Sequence, residues 1–243
     1  MANFNTHITV AAAASGLMSV LCLQVGLVGK SEVALLALAG TFGGILPDVD
    51  LQSSYPSRIL FSLMATLMAF AAVTAMGDGF SVLELWLVAG VSFFIIRYPV
   101  WRFFHKYTRH RGLTHTIIAA FLSMFITAIF VHHWLEYSPF IAWMVASFML
   151  FGFIIHLLLD EIYSVDFSNR RIKRSFGTAL KLWDLRKPVE TTALSAFTLL
   201  MWYLSPSAQV FWDTFSDIQT YKIIAAHIFP TDIDHLRVFF SSI

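Results

Sequence analysis

The stretch FIAWMVASFMLFGFIIHLLLD, residues 140–160, is the part of the sequence that decides the fold. It contains no charged side chain before Asp160. A membrane-spanning helix needs about 20 predominantly apolar residues, so this stretch predicts a helix that crosses a bilayer. His156 and Asp160 are four residues apart near its end, which would place both side chains on one face of that helix.

The rest of the chain has the same apolar character. Of its 243 residues, 58% are hydrophobic and only 13% are charged, whereas a soluble domain is about 25% charged. This surplus of apolar side chains exceeds what one soluble core could bury. The candidate spanning helices are 8–28, 33–46, 59–76, 83–100, 113–131, 140–159 and 189–204. The predicted fold is therefore all-α, a polytopic membrane bundle of about six to seven transmembrane helices.

Two features of these spans leave alternatives open. The second span is short, so it either begins earlier, in the turn at 26–32, or ends part-way through the bilayer, which would suit a recessed site. The last span, 189–204, either crosses the membrane or lies in its interface. We expect residues 1–205 to form one transmembrane domain that carries a metal site, and residues 206–243 to form a tail with an amphipathic or interfacial helix. The single cysteine, Cys22, provides no disulfide framework.

The basic residues indicate which side of the membrane each span end faces. Counting crossings from the N-terminus assigns thirteen of the sixteen Lys and Arg residues to the N-terminal side. They are Arg58, Arg97, Arg102, Lys106, Arg109, Arg111, Arg170, Arg171, Lys173, Arg174, Lys181, Arg186 and Lys187. Because Lys and Arg are enriched in cytoplasmic loops, this side is predicted to be cytoplasmic.

The same count places five small polar clusters on the cytoplasmic side. They are His7, Asp48 with Asp50, His110 with Arg111, Thr114 with His115, and His156 with Asp160. Each cluster has a plainer explanation by itself: acids that end a span, one more cytoplasmic arginine, a threonine that caps a helix, or a structural His–Asp hydrogen bond. Their convergence at one face of a helical membrane protein predicts a metal site, since histidine and aspartate are metal-ligand types.

The candidate ligands outnumber what one catalytic zinc ion uses. They are His7, Asp48, Asp50, His110, His115, His156 and Asp160. A catalytic zinc ion has three protein ligands and a water, so either two ions bind or some of the seven orient the true ligands. The mixed set favours Zn²⁺, with Mn²⁺ or Fe²⁺ as alternatives. Asp50 or Asp160 could act as a general base, and Arg111 could stabilise developing negative charge.

These residues also carry a resemblance to a known family. The chain has Thr-His at 6–7, Leu-Pro-Asp-x-Asp at 46–50, His-Arg-Gly-x-Thr-His at 110–115 and His-x-x-x-Asp at 156–160. In their order and spacing they resemble the YdjM-like, LexA-regulated family of bacterial membrane-bound metal-dependent hydrolases. The resemblance implies a multi-pass inner-membrane protein with metal-dependent hydrolase activity, and it leaves the substrate open.

The depth of the site and the nearby charges suggest a substrate and partners. A site at bilayer depth suits an amphiphilic ester, such as a phospholipid or another lipid phosphoester. The basic run Arg170, Arg171, Lys173 and Arg174 would attract anionic lipid, by about 1 kcal/mol per residue near the surface. A nucleic-acid partner is not expected, because no folded basic domain with interleaved aromatics is present. The alternatives are metal or proton transport, which needs ionisable groups on both sides of the membrane, and a metal-stapled scaffold without catalysis.

Overall fold

The computed structural model describes residues 3–50, 54–76, 79–107, 113–166, 171–172, 181–182 and 187–228. The helices in these residues are α1 (Phe4–Gln24), α2 (Lys30–Gly43), α3 (Tyr55–Ala75), α4 (Val82–Ile95), α5 (Trp101–Tyr107), α6 (Ile117–His133), α7 (Pro139–Ile162), α8 (Pro188–Leu204), α9 (Gln209–Ser216) and α10 (Ile218–Ile228). Two-residue strands β1 (Val165–Asp166) and β2 (Arg171–Ile172) pair antiparallel. Short 3-10 turns span Leu46–Asp50 and Leu113–His115, and a π-helical turn, Ile96–Val100, joins α4 to α5.

The prediction of a helical membrane bundle is confirmed. Each of the seven apolar stretches is mainly helical. Among the described residues, four helices are long and apolar enough to cross a membrane: Phe4–Gln24, Ser57–Ala75, Val82–Lys106 and Pro139–Ile162. A shorter apolar helix is Ile117–His133. Helix α2 begins inside the 26–32 turn and has 14 residues, which gives it a length of about 21 Å at 1.5 Å per residue.

Helix α7 is the central element of the bundle. It starts at Pro139, and the Ser138 side chain accepts a hydrogen bond from the Ile141 N–H, as is usual at a helix N-terminus. Because its sequence is apolar on every side, it can be surrounded by other helices. Large side chains along its length, such as Met144 and Phe153, are buried, and α1, α2 and α6 pack against it.

Glycines allow α2 to approach α7 closely. A Cβ atom added at Gly152 of α7 would collide with the carbonyl of Gly40 in α2, and one at Gly43 would collide with the carbonyl of Met149. Small residues at helix contacts are typical of membrane bundles, because they let two backbones approach. This packing brings Gly44, the residue that ends α2, close to α7 at a point one turn before His156.

Helix α8 runs from one end of the bundle to the other. Just before it, the carbonyl of Lys181 accepts a hydrogen bond from the Ile117 N–H at the start of α6. Just after it, the carbonyl of Pro206 accepts a hydrogen bond from the Trp143 indole in the second turn of α7. The first described part of the tail, α9, packs its Phe211 ring against Trp143. This part of the tail therefore lies at the end of α7 opposite to His156.

Candidate metal centre

Four of the five predicted polar clusters meet at one end of the bundle. One side chain comes from the first turn of α1, one from the 3-10 turn after α2, one from the 3-10 turn before α6, and two from the last turns of α7. They are His7, Asp48, His115, His156 and Asp160, which we call the His/Asp cluster.

The side chains of the cluster lie close together but are not in ordinary hydrogen-bond contact. Nε2 of His7 is 3.3 Å from Oδ1 of Asp160, and Nε2 of His115 is 3.9 Å from Oδ2 of the same residue. Oδ1 of Asp48 is 3.6 Å from Nε2 of His156 and 3.8 Å from Nε2 of His115. The rings of His7 and His156 stack with their centroids 3.8 Å apart. Two overlapping groups result, His7/His156/Asp160 and Asp48/His115/His156, each with its ligand atoms within 4.8 Å of one another.

These separations fit a shared metal ion. Ligand atoms at about 2.0–2.1 Å from a tetrahedral zinc ion are about 3.3–3.4 Å from one another. Direct hydrogen bonds between such groups would be about 2.7–3.2 Å long. The distance of 3.3 Å between His7 and Asp160 matches this spacing, and the other nitrogen–oxygen distances, 3.6–3.9 Å, are a few tenths of an ångström longer, so small side-chain shifts would bring these atoms around one ion. Buried histidine and aspartate groups that can hold a metal ion are thus present.

The tautomer of His156 also suits metal binding. Its Nδ1 is 2.8 Å from the carbonyl oxygen of Gly44. Because a carbonyl oxygen only accepts, Nδ1 carries the hydrogen and Nε2 carries the lone pair. That Nε2 atom is buried and has no hydrogen-bond partner among the described residues. A ring nitrogen that donates to a backbone carbonyl while the other faces a cluster of acids is the usual arrangement of a metal-binding histidine.

Burial and charge support the same interpretation. The side chains of His7, His115, His156 and Asp160 are at most 1% exposed, whereas that of Asp48 is 17% exposed. Burying a carboxylate is costly unless charged or hydrogen-bonding groups compensate it. A divalent cation is one group that would stabilise both carboxylates of the cluster. Asp48 is the most exposed member of the cluster.

The threonines on the two sides of His115 have different roles, and the sequence left two roles open for Thr114, to cap the following helix or to orient a ligand. The plainer prediction, that Thr114 caps the following helix, was wrong: Thr116 is the N-cap, and its side chain accepts a hydrogen bond from the Ala119 N–H. The helix starts later than predicted because residues 113–115 form a 3-10 turn and Thr116 pairs with Lys181. The Thr114 hydroxyl lies 3.3 Å from Nδ1 of His115, which is the position for orienting that ring.

The remaining predicted site residues are not placed with the cluster. His110 and Arg111 lie outside the described residues, as do Arg170, Lys173 and Arg174 of the basic run. Asp50 ends the 3-10 turn Leu46–Asp50, but its side chain is also outside the described part. Arg171 lies in β2. These assignments stay predictions.

His105, which is not among the predicted site residues, has a side-chain partner in the structure. Nε2 of His105 in α5 is 2.7 Å from the Ser57 hydroxyl in α3, and the Trp101 indole N–H donates to the same hydroxyl at 3.0 Å. The available signal was the spacing of Trp101 and His105, four residues apart on one helix face just after Pro99. The serine, 48 positions away from the histidine, could not be identified from spacing.

Comparison with known proteins identifies the family. No curated protein and no solved structure matches the chain significantly. The profile of the family described as YdjM inner membrane protein matches residues 1–203, which include all five side chains of the His/Asp cluster. The match covers most of the 243 residues and confirms the predicted resemblance. The chain belongs to the family of YdjM inner membrane proteins.

Proposed function

We propose that this protein is a metal-dependent hydrolase of the inner membrane, with a cytoplasm-facing His/Asp site that acts on an amphiphilic phosphoester such as a phospholipid. The observation that carries the proposal is the convergence of five mostly buried ligand side chains from four separate stretches of sequence. A structural His–Asp hydrogen bond needs only two residues, so it would not explain why five ligand side chains lie together.

One ion accounts for both groups of the cluster. His156 belongs to both, and its Nε2 has a single lone pair, so it ligates one ion. His7, His115 and Asp160 would complete the shell with it, and Asp48, the most exposed member, would contact the ion or its water. A second ion would need further ligands, and the sequence offers Asp50 and His110 for it. The mixed nitrogen and oxygen set favours Zn²⁺ over Mn²⁺ and Fe²⁺.

Each side chain of the site would have a separate role in hydrolysis. A bound zinc ion lowers the pKa of its water and polarises the scissile group. Asp160 is completely buried and faces two histidines, so we assign it chiefly to the ion. Asp48, which is partly exposed, would orient the water that enters. Asp50 remains the candidate general base, and Arg111 would stabilise the charge that develops on the phosphoester.

The position of the cluster supports a lipid-like substrate. His7 lies in the first turn of α1, and Asp160 lies in the last turn of α7, so both are at the end of candidate membrane spans. The ends of spanning helices meet the headgroup region of a bilayer. A substrate with a phosphoester headgroup and acyl chains could therefore reach the cluster without leaving the membrane.

The distribution of buried ionisable groups favours hydrolysis over transport. In the described part of the chain, the buried histidine and acidic or basic side chains are those of His7, His115, His156 and Asp160, all at one end. A transport pathway for metal ions or protons needs such groups near the midplane and toward the other side. Farther along α1, the buried polar side chains are the neutral Ser15 and Ser19.

The test is metal analysis followed by an activity assay on purified, full-length protein. We expect bound metal in the wild type, and turnover of at least one lipid phosphoester that chelation abolishes and Zn²⁺ restores. His115→Ala should lose both, whereas His132→Ala, whose histidine lies at the far end of α6, should keep both. Absence of metal would refute the proposal. Bound metal with flux in proteoliposomes and no turnover would favour transport, and bound metal with neither would favour a scaffold.

A further inference from the structure

A chain of hydrogen bonds connects α5 to the turn that carries Asp48. It runs through Ser54, Ser57, Trp101 and His105, which we call the Ser57 bridge. The Ser54 hydroxyl donates to the carbonyl of Asp48 at 2.8 Å. The same hydroxyl oxygen accepts the Ser57 N–H at 3.2 Å, which makes Ser54 the N-cap of α3.

Donor chemistry fixes the direction of the bond between Trp101 and Ser57. An indole nitrogen only donates, so the Trp101 N–H donates to Oγ of Ser57 at 3.0 Å. The hydroxyl hydrogen of Ser57 is then available for Nε2 of His105, 2.7 Å away. Ser57 is completely buried. Because the Ser57 hydroxyl of α3 is hydrogen-bonded to two side chains of α5, it holds these two helices at a fixed distance and angle.

The π-helical turn before α5 brings this helix into position. The turn Ile96–Val100 contains Pro99, which has no N–H to donate. A π-helical turn inserts one residue into a helix and rotates the part that follows, and such turns are frequent at functional sites. As a result Trp101 and His105, four residues apart, both face α3 at Ser57.

A nucleophilic role for Ser57 does not fit this geometry, although a serine beside a histidine resembles a catalytic pair. The residue has no exposed surface through which a substrate could reach it. The indole N–H also occupies a lone pair of the oxygen that would attack. The hydrogen bonds of the Ser57 bridge extend instead to the main-chain carbonyl of Asp48, and the side chain of Asp48 belongs to the His/Asp cluster.

We propose that Ser57 and His105 are positioning residues that hold Asp48 at the metal site, and that α5 thereby controls how tightly the site binds its ion. The inference rests on the metal site of the proposed function. Asp48 is on a five-residue 3-10 turn between α2 and α3, and its carbonyl is fixed by Ser54, the first member of the bridge. Its carboxylate must stay within a few ångströms of His115 and His156 to share an ion with them.

Cobalt titration of the full-length protein in detergent tests the inference. Co²⁺ alone is the probe, because its visible absorption reports the geometry of its ligands. Removing groups that orient metal ligands typically lowers affinity by about 10–100-fold, so we expect Ser57→Ala to weaken Co²⁺ binding by at least about tenfold. We also expect a changed visible spectrum. Ser57→Thr, which keeps the hydroxyl, should restore both the affinity and the spectrum.

Two tryptophans provide a matched control. Trp101→Phe removes the indole donor of the Ser57 bridge, and Trp143→Phe removes an indole that donates to Pro206 at the opposite end of the bundle. Each change removes one hydrogen bond that a tryptophan in a helix donates to another part of the chain. We expect only Trp101→Phe to change the cobalt spectrum, although both should lower thermal stability.

The outcomes separate this inference from the proposed function. If the wild type binds no Co²⁺ or Zn²⁺, both are wrong. If the wild type binds metal and folded Ser57→Ala binds it with the same affinity and spectrum, only the positioning role is wrong. Should Ser57→Ala fail to fold, His105→Leu, which removes the acceptor from the other helix, decides the question by the same two readouts.

Discussion

His156 donates a hydrogen bond from Nδ1 to the carbonyl oxygen of Gly44, 112 residues earlier in the chain. The bond is possible because glycines let the end of α2 approach α7. It fixes the histidine tautomer and aims Nε2 at Asp48, 3.6 Å away. The packing of α2 against α7 therefore determines how the His156 ring is oriented in the His/Asp cluster.

His156 should be the most sensitive member of the cluster, since it belongs to both candidate metal groups. We expect His156→Ala to lose bound metal, measured by elemental analysis of the purified protein. His132→Ala is the matched control, because that ring also donates from Nδ1 to a backbone carbonyl, that of Tyr137. Equal metal content in the two variants would contradict the assignment of His156 as a ligand.

Close packing at Gly152 should be essential for the metal site, because it lets the end of α2 approach α7 near His156. A methyl group there would collide with the carbonyl of Gly40, and overpacking of this kind costs about 1–3 kcal/mol. We expect Gly152→Ala to lower the melting temperature and to weaken metal binding, since the backbones of α2 and α7 must separate. Gly90→Ala is the control, because a Cβ atom at Gly90 has no neighbour within 4 Å. Similar melting temperatures for Gly152→Ala and Gly90→Ala would show that α2 and α7 are not packed so closely at Gly152.

The sequence was sufficient to predict the helices and most of the cluster. Apolar stretches of 16 residues or more predict membrane helices directly, because lipid leaves few alternatives. The crossing count then placed His7, Asp48, His115 and His156 at the same end, where the structure brings them together. Each of these inferences uses only local pattern and chain direction.

Contacts that depend on backbone atoms and on helix rotation could not be predicted. Any residue has a carbonyl, so nothing in the sequence singled out Gly44 as the partner of His156. Small residues such as the glycines at 40, 43 and 44 are common at close helix contacts, but their spacing does not identify the partner helix. Similarly, the π-helical turn at Ile96–Val100 sets the rotation that pairs His105 with Ser57, and a proline alone does not predict a π turn.

Neutralising Asp160 without changing its size should separate charge from packing. Asp160→Asn keeps the side-chain volume but removes a buried negative charge that faces His7 at 3.3 Å. We expect metal affinity, measured by competition with a chelating dye, to fall by at least about tenfold, or about 1.4 kcal/mol. Asp213→Asn, at an exposed position on α9, should leave affinity unchanged. Tight metal binding by Asp160→Asn would exclude this carboxylate as a ligand.

Removal of the metal should destabilise the wild type. A ligand that binds only the folded state stabilises it by about 2.7 kcal/mol when its concentration is 100 times its dissociation constant. We therefore expect a chelator to lower the melting temperature and added Zn²⁺ to restore it. His115→Ala should melt at the same temperature with and without chelator. A chelator effect of equal size in this variant would show that the stabilising ion binds elsewhere.

Orientation in the membrane can be tested with single cysteines, since the chain has only Cys22, which is buried. In a Cys22→Ser background, Asn5→Cys would report the end of the bundle that carries His7, and Ser31→Cys and Ser207→Cys would report the other end. Residue 5 lies in the first turn of α1, residue 31 follows the loop after that helix, and residue 207 follows α8. All three positions are exposed.

In intact cells, a membrane-impermeant maleimide should label residues 31 and 207 but not residue 5, because the excess of Lys and Arg predicts that the N-terminal side is cytoplasmic. Residue 5 should be labelled only after the membrane is permeabilised. Labelling of residue 5 in intact cells would reverse the orientation of the His/Asp cluster. If residue 31 is labelled and residue 207 is not, α8 does not carry the chain across the membrane, and the tail lies on the same side as the cluster.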